Sequence, residues 1–197
     1  MRGRPGATLA LAAALVAAIP AAAPRAASVI APTFDAMVAR AQTVFVGRTV
    51  DVRSRWVSTT SGRAIVTIVT FDVVRTLKGE LGAQTQLEFL GGTVGEYRME
   101  IPGIPKFRVG DEDVLFVDER GQPVSPVVGF MHGRFRVLED AGTRRRSVAR
   151  YNFEPLADVK DVGGSTPAPR VSSARALSLA AFENEVTRAV RRQREAR

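Results

Sequence analysis

The sequence predicts a mainly β protein, a small antiparallel β-barrel with a short N-terminal helix and a C-terminal amphipathic helix. Segments of alternating apolar and polar residues, rich in β-branched side chains, recur between residues 43 and 153 and are separated by turn residues. Apolar residues at helical spacing occur before and after them, at residues 33–41 and 178–195. Five or six strands are therefore expected, enough to close a small barrel.

The first element is a short helix for which Thr33 is the expected N-cap. Its apolar residues follow the i, i+3, i+4, i+7 pattern, at Phe34, Met37, Val38 and Ala41. We expect this apolar stripe to pack against the barrel and the chain to continue directly into the first strand.

Two long strands, at residues 43–52 and 64–79, form the centre of the predicted barrel. Both alternate with period two, and a cluster of turn residues at 58–62 joins them as a hairpin. The apolar run from Ile65 to Val69 indicates burial on both faces. Gly47, inside the first strand, indicates a bulge, a tight bend or a close backbone approach.

The remaining strands are shorter and less regular. They are predicted at residues 85–90, 114–117, 127–138 and 148–153. The second of these four is expected to be central because both of its faces are apolar, and Gly129 and Gly133 interrupt the third. Residues 91–107 contain a glycine pair and two prolines, which predicts a long loop with a short strand near 97–101.

The predicted domains are residues 33–157 for the barrel, 158–177 for a flexible linker and 178–195 for the C-terminal helix. Ser178 is the expected N-cap of that helix. The apolar stripe of the helix consists of Leu179, Phe182 and Val186. We expect the helix to dock on the barrel. The alternative is an exposed helix whose arginines bind an anionic surface.

Residues 1–23 have the layout of a secretory signal peptide. Arg2 and Arg4 precede an apolar run at residues 9–19, and small residues follow. This run is short for a membrane span, so cleavage near Pro24 is expected, and a retained alanine-rich anchor helix is the alternative. The mature protein is predicted to be secreted or periplasmic, with no transmembrane segment after signal removal.

The composition excludes several kinds of site. The 197 residues include no cysteine and one histidine, His132, which excludes disulfides, thiolate metal sites, a cysteine nucleophile and a histidine-rich metal site. The sequence has no nucleophile elbow, no phosphate-binding loop and no zinc-protease motif. The prediction is a protein without catalytic activity, without a cofactor and without a metal.

Two alternatives involve chemistry. The residue count allows a triad of His132, Ser125 and Asp118, although a turn position beside a glycine is favoured for His132. The three acids at residues 111–113 carry oxygen ligands suited to a hard cation. Consecutive residues of a strand point to opposite faces, however, so a solvated turn is favoured for these acids.

Residues 34–48, FDAMVARAQTVFVGR, followed after a loop by residues 70–79, TFDVVRTLKG, resemble the core of the netrin-like module. That module is the OB-type barrel also used by tissue inhibitors of metalloproteinases. The resemblance covers about residues 33–138 and implies an OB-type barrel of the kind found in cysteine-free secreted bacterial proteins. Animal members contact the protease zinc through an N-terminal cysteine and carry disulfides, which this chain lacks. The resemblance therefore implies a fold more than an inhibitory activity.

The long loop after the third strand is the predicted binding site. In OB-type barrels, the loops at one mouth and the exposed sheet face bind ligands. Glycines, aromatic residues and cations are concentrated in or beside this loop, at Gly91, Gly92, Tyr97, Arg98, Lys106, Phe107 and Arg108. The alternative is that Tyr97 and Phe107 cover the end of the barrel while the cations are solvated.

The expected function is that of a secreted, non-catalytic binding or inhibitor-like module whose partner is an extracellular or envelope protein. The alternative is docking to an anionic envelope polymer or membrane surface, since the formal charge is +8 and basic residues occur at 144–146 and in the C-terminal helix. An enzyme with an unrecognised site is the third hypothesis. Single-stranded nucleic acid, a common ligand of OB-type barrels, is not expected because the protein is predicted to be exported.

Overall fold

The structure is a computed structural model that describes residues 31–60, 62–118, 120, 124–163 and 171–196. The predicted signal peptide and the predicted start of the mature chain near Pro24 lie outside these ranges. The helices and strands in chain order are α1 (Phe34–Arg40), β1 (Thr43–Thr59), β2 (Gly62–Lys78), β3 (Gln84–Leu90), β4 (Gly92–Val94), β5 (Tyr97–Met99), β6 (Glu112–Val117), β7 (Arg134–Glu139), β8 (Arg146–Ala149) and α2 (Leu179–Glu195). Short 3-10 turns lie at Phe130–Gly133, Val159–Asp161 and Ser173–Arg175.

The prediction of a mainly β protein with two helices is confirmed. Six strands form one antiparallel sheet in the order β3-β2-β1-β6-β7-β8, and β4 and β5 form a separate hairpin. Among the described residues the sheet is open, because β3 and β8 lie at opposite ends of this order and do not pair. This differs from the closed barrel that the sequence predicts. Other segments occupy the β8 edge instead, through bridges from Ser147 to Ser178 and from Ala149 to Pro155.

The β1–β2 hairpin is a long ribbon that extends well beyond the rest of the sheet. Its pairing register shifts between Val46 and Gly47, which confirms the irregularity predicted at this glycine. A Cβ atom added at Gly47 would lie 2.6 Å from the ring of Phe45, so a side chain there would collide with the core. The register also shifts at two further places in β1, and bulges of this kind increase the local twist of a ribbon.

One face of the sheet is covered by the two helices. The N-cap predicted at Thr33 is present, since the Ala36 amide donates a hydrogen bond to its hydroxyl. The helix α2 buries Phe182 completely, and its ring lies 4.9 Å from that of Phe135 and 5.8 Å from that of Phe34, measured between centroids. The predicted docking of the C-terminal helix is therefore present in the structure, with Ser178 as its N-cap.

The segment between the sheet and α2 is described at residues 158–163 and 171–177, where it contains two of the 3-10 turns. Leu177 is tied to the sheet on both sides. Its amide donates to the carbonyl of Leu156, and its own carbonyl accepts from the amide of Val148. These hydrogen bonds fix the point at which α2 begins.

The other face of the sheet carries a second core. Phe45, Phe71 and Phe89 point into it from three neighbouring strands, and all three are fully buried. Phe107 covers them from above, with its ring centroid 5.2 Å from those of Phe71 and Phe89. It belongs to residues 101–108, here called the roof segment, which crosses this face of the sheet.

Two predicted strands are shorter than expected. The strand predicted at 127–138 is interrupted by the turn at Phe130–Gly133, and β7 begins only at Arg134. Gly129 and Phe130 both adopt positive φ angles, which no regular strand contains. The edge strand predicted at 148–153 ends at Ala149, because the amide of Phe153 turns back to donate to the carbonyl of Arg150.

Among the described residues, no helix is both long and apolar enough to cross a membrane.

Candidate functional site

The predicted binding loop forms one wall of a cavity of about 300 Å³, here called the hairpin pocket. The pocket lies between the β1–β2 ribbon, the β4–β5 hairpin and the roof segment. Five of the seven predicted site residues line it, namely Gly91, Gly92, Arg98, Lys106 and Phe107. Tyr97 and Arg108 lie elsewhere. The loop residues that sequence analysis selected are thus mostly brought together, although they form less than a third of the lining of the pocket.

The walls of the hairpin pocket are mainly apolar. They include Val52, Val69, Phe89, Ile101, Ile104 and Pro105, contributed by strands on one side and by the roof segment on the other. The strand residues of this set were not predicted as site residues, because period-two patterning shows only that a residue faces the core side of a sheet. It does not show whether the covering layer leaves a cavity there.

The glycine pair shapes the pocket by allowing the β4–β5 hairpin to lie directly on the ribbon. Both glycines have positive φ angles, +101° for Gly91 and +140° for Gly92. A Cβ atom at Gly92 would collide with the hydroxyls of Ser54 and Thr67. These hydroxyls are hydrogen-bonded to each other at 2.9 Å, and that of Thr67 also donates to the Gly91 carbonyl at 2.7 Å. The pair therefore has a structural role at the end of the pocket.

The two cations of the pocket share one carboxylate that sequence analysis did not select. Glu100 Oε1 accepts hydrogen bonds from Lys106 Nζ at 2.6 Å and from Arg98 Nη2 at 2.5 Å. The hydrogen bond from Lys106, followed by that from Arg98, lowers the pKa of Glu100 below its ordinary value. Since Arg98 lies in β5 and Lys106 in the roof segment, Glu100 links the two layers that enclose the pocket.

Tyr97 lies at the outer end of the ribbon, outside the hairpin pocket. Its side chain is 67% exposed, and its ring packs edge to face on Trp56 with centroids 5.5 Å apart. The guanidinium of Arg63 lies 4.5 Å above the Trp56 ring. Trp56 is the single tryptophan of the chain, which is the one sequence signal that could have pointed to this aromatic cluster. The cluster forms an exposed aromatic surface beside the pocket.

Phe107 combines two roles that sequence analysis treated as alternatives. It lines the hairpin pocket, yet it is also part of the second core and is only 8% exposed. Arg108 is exposed and points away from this pocket, toward a second cavity on the other side of the roof segment. Of the predicted site residues, Arg108 lines only the second cavity, Lys106 lines both, and Tyr97 lines neither.

The acids at residues 111–113 do not form the solvated turn that the sequence favours. Asp113 is fully buried and accepts two hydrogen bonds from Arg134, from Nε to Oδ1 at 2.9 Å and from Nη2 to Oδ2 at 2.8 Å. Burial raises the pKa of Asp113 against the lowering effect of Arg134. Glu112 points to the opposite face, where it pairs with Arg48 and Arg146. The alternation expected of a strand is present, but the sequence does not reveal the partners of these acids.

The basic residues at 144–146 have partners within the described part of the chain. Arg144 forms a 2.7 Å ion pair with Glu139, and Arg146 pairs with Glu112. Arg145 donates hydrogen bonds to the carbonyls of Ser173, Ala174 and Ala176. The last of these contacts holds the chain just before α2, so the arginine run links β8 to the start of the helix.

The three residues of the alternative triad each contact a different partner and not one another. The Ser125 hydroxyl accepts from the Val127 amide, and Asp118 accepts from the Arg120 guanidinium. His132 packs edge to face on Tyr151, with ring centroids 5.5 Å apart. Among the described residues, no hydrogen bond joins these three side chains, and no group of three or more acids and histidines is arranged to hold a metal ion.

Comparison of the chain with protein-family models, with curated proteins and with solved structures found no match.

Proposed function

We propose that the protein is a non-catalytic, inhibitor-like binding module that binds a partner protein by accepting one of its apolar side chains in the hairpin pocket. The observation that carries this proposal is the largely apolar cavity of about 300 Å³ beside the exposed Tyr97 ring and the half-buried Trp56 ring. A pocket that accepts an apolar anchor, next to tyrosine and tryptophan, is typical of the central contacts of protein interfaces.

The charges beside the pocket favour a partner with acidic residues next to its anchor. Arg63 stacks on Trp56, and Arg98 and Lys106 approach from the other side, with Glu100 neutralising part of their charge. Complementary charge at the edge of an interface mainly raises the association rate and excludes wrong partners. The partner segment in this proposal therefore carries one large apolar residue flanked by aspartate or glutamate.

The fold label and the location belong to the same proposal. The direct passage from α1 into β1, and the aliphatic-Lys-Gly turn at the end of β2, support an OB-type, netrin-like relationship. Residues 1–23 are proposed to direct export, which places the mature chain in the periplasm or outside the cell and makes an extracellular or envelope protein its partner.

Peptide display against the mature chain, residues 24–197, tests the proposal. Selected peptides are expected to share a large apolar residue with acidic neighbours. Ile101→Trp fills the pocket and should weaken binding of a selected peptide at least about tenfold, the loss typical of an interface anchor. Val74→Trp adds the same ring at an exposed position of β2 away from the pocket and should leave binding unchanged.

Two results would contradict this function. One is a peptide that binds Ile101→Trp as tightly as the unmodified protein while both keep the same melting temperature. The other is the absence of any enriched apolar-acidic motif after selection. A third variant, Arg136→Met, alters the second cavity on the other side of the roof segment and is expected to leave peptide binding unchanged.

A further inference from the structure

The second cavity on the sheet, of about 420 Å³, is lined by arginines. It is here called the arginine pocket and lies across the roof segment from the hairpin pocket. Its charged lining comes from the roof segment and its end (Lys106, Arg108 and Asp111) and from β7 (Arg134 and Arg136). Tyr151 and Phe153 complete it from the turn after β8. The volume is within the range of cavities that bind small molecules.

Arg134 donates its hydrogen bonds to other groups of the protein. Besides its two hydrogen bonds to Asp113, it donates to the Lys106 carbonyl at 2.6 Å and to Asp111 Oδ2 at 3.3 Å. Its guanidinium also lies 4.1 Å above the Phe107 ring. With only 3% of the side chain exposed, Arg134 holds the roof segment on the sheet rather than offering donors to a ligand.

Arg136, two residues further along the same face of β7, is differently placed. It forms an ion pair with Asp111, 2.8 Å from Nη2 to Oδ2, while its Nε is buried without a hydrogen-bond partner among the described residues. A buried arginine normally satisfies its donors, because an unmade hydrogen bond to a charged group is costly. Arg136 therefore lines the pocket with one of its donors left without an acceptor.

The charges around the pocket leave an excess of one cation. Three guanidinium groups, those of Arg108, Arg134 and Arg136, are opposed by the carboxylates of Asp111 and Asp113. Lys106 is paired with Glu100 on the far side of the roof segment. Arg108 is exposed and forms no ion pair with any described residue. A single negative charge would balance this group, whereas a dianion would leave a net negative charge next to the carboxylate of Asp111.

The aromatic wall is unusual in its conformation. Phe153 is 56% exposed, and its backbone adopts a φ angle of +67°, which is strained for a residue of this size. The Arg136 guanidinium lies over the Phe153 ring, 4.2 Å from the ring centroid. Such strain persists only where the surrounding structure imposes it. The strained turn therefore places an exposed aromatic ring beside the unsatisfied arginine.

We propose that the arginine pocket binds a small monocarboxylate with an apolar or aromatic body, its carboxylate accepting hydrogen bonds from Arg136 and Arg108. The planar fork of a guanidinium group matches the geometry of a carboxylate, and the single charge of a carboxylate matches the excess of one cation. The apolar part of the ligand lies against Phe153 and Tyr151. This site does not require the proposed protein partner, and it is separated from the hairpin pocket by Ile104, Pro105 and Lys106, which line both cavities.

The test is a titration of the ¹⁵N-labelled mature chain with 3-phenylpropanoate, followed by amide chemical shifts. Saturable shifts are expected at residues 103–108, 134–136 and 151–153. The neutral analogue 3-phenylpropanamide has the same body without the charge and should bind at least about tenfold more weakly, as expected for loss of a charge-assisted hydrogen bond. Phenyl phosphate, a dianion at neutral pH, should also bind more weakly than the carboxylate.

Variants assign the binding to the named arginines. Arg136→Met should weaken 3-phenylpropanoate binding at least about tenfold, and Arg136→Lys, which keeps the charge without the planar fork, should fall between. Arg108→Met is expected to weaken binding less, and since Arg108 is exposed this variant should fold normally even if Arg136→Met does not. Arg188→Met removes an exposed arginine of α2 and should have no effect.

The proposal is overturned by equal binding of 3-phenylpropanoate and its amide, by the absence of saturable shifts at millimolar concentration, or by tighter binding of phenyl phosphate. Shifts that map outside the three segments would also overturn it. Binding unaffected by Arg108→Met and by either substitution of Arg136 would exclude the arginines as the source of recognition.

Discussion

His132, the single histidine, is half-buried against Tyr151 near the start of β7. Burial lowers its pKa below the ordinary value of 6.5, and the nearby charge of Arg150 lowers it further. The folded protein thus holds the imidazole neutral at a pH where the unfolded chain begins to bind a proton. Stability from this residue is complete above the unfolded pKa and is lost as the pH falls toward the folded pKa.

The melting temperature should therefore decrease as the pH is lowered from about 7.5 to 5.5, the range in which an unperturbed histidine titrates. His132→Gln removes the titrating group and should flatten this part of the profile. Thermal unfolding followed by circular dichroism measures both proteins. An equally steep profile in the variant would show that groups other than His132 cause the dependence.

At the scale of elements, α2 is a covering layer of one face of the sheet. Its stripe of Leu179, Phe182 and Val186 is buried on the sheet, and the arginines near its end are exposed. Arg192 reaches back to Asp35 of α1 at 3.1 Å, so the two helices are also joined at the surface. The helix is consequently a structural layer, and its apolar face is not free to bind a membrane.

Phe182→Ala should destabilise the protein by about 3–5 kcal/mol, the usual cost of removing a fully buried aromatic ring. Asn184→Ala is a matched control, since it changes an exposed residue of the same helix and should cost little. Urea unfolding provides both values. A loss near zero for Phe182→Ala would mean that α2 is not docked in solution.

At the scale of the whole molecule, the two cores on opposite faces of the sheet share the same strands. In β1, Val44 and Val46 point into the core under the helices while Phe45 points into the core under the roof segment. In β6, Phe116 and Leu115 divide in the same way. Loss of either core therefore removes support from strands on which the other depends, and both are expected to unfold together.

Two probes at opposite ends of the molecule can measure this coupling. Trp56 reports on the outer ribbon through fluorescence, and ellipticity at helical wavelengths reports mainly on α2. Their unfolding curves in urea should coincide, with the same midpoint and slope. Phe182→Ala should shift both midpoints equally. A separate, earlier transition of the Trp56 signal would show that the ribbon unfolds as an independent unit.

Local patterning determined much of this fold from the sequence alone. Period-two alternation, Ser178 and Thr33 as caps, and the bulge at Gly47 depend on residues close together in the chain, so their signals are complete within a short window. The stripe of α2 is visible for the same reason. The loop that lines the hairpin pocket was recognisable because glycines, aromatic residues and cations are concentrated in it.

The tertiary structure alone decided the pairing of distant residues. Asp113 and Arg134 are 21 positions apart, and no local pattern shows that they form a buried ion pair instead of a solvated turn. The sheet does not close because the edge of β8 pairs with the segments around Pro155 and Ser178 instead of with β3. The separation of the two cavities follows from the path of the roof segment between them, which is held by the packing of Phe107 on Phe71 and Phe89. A sequence specifies which face a residue points to, but the layer that covers this face is brought there by the whole chain.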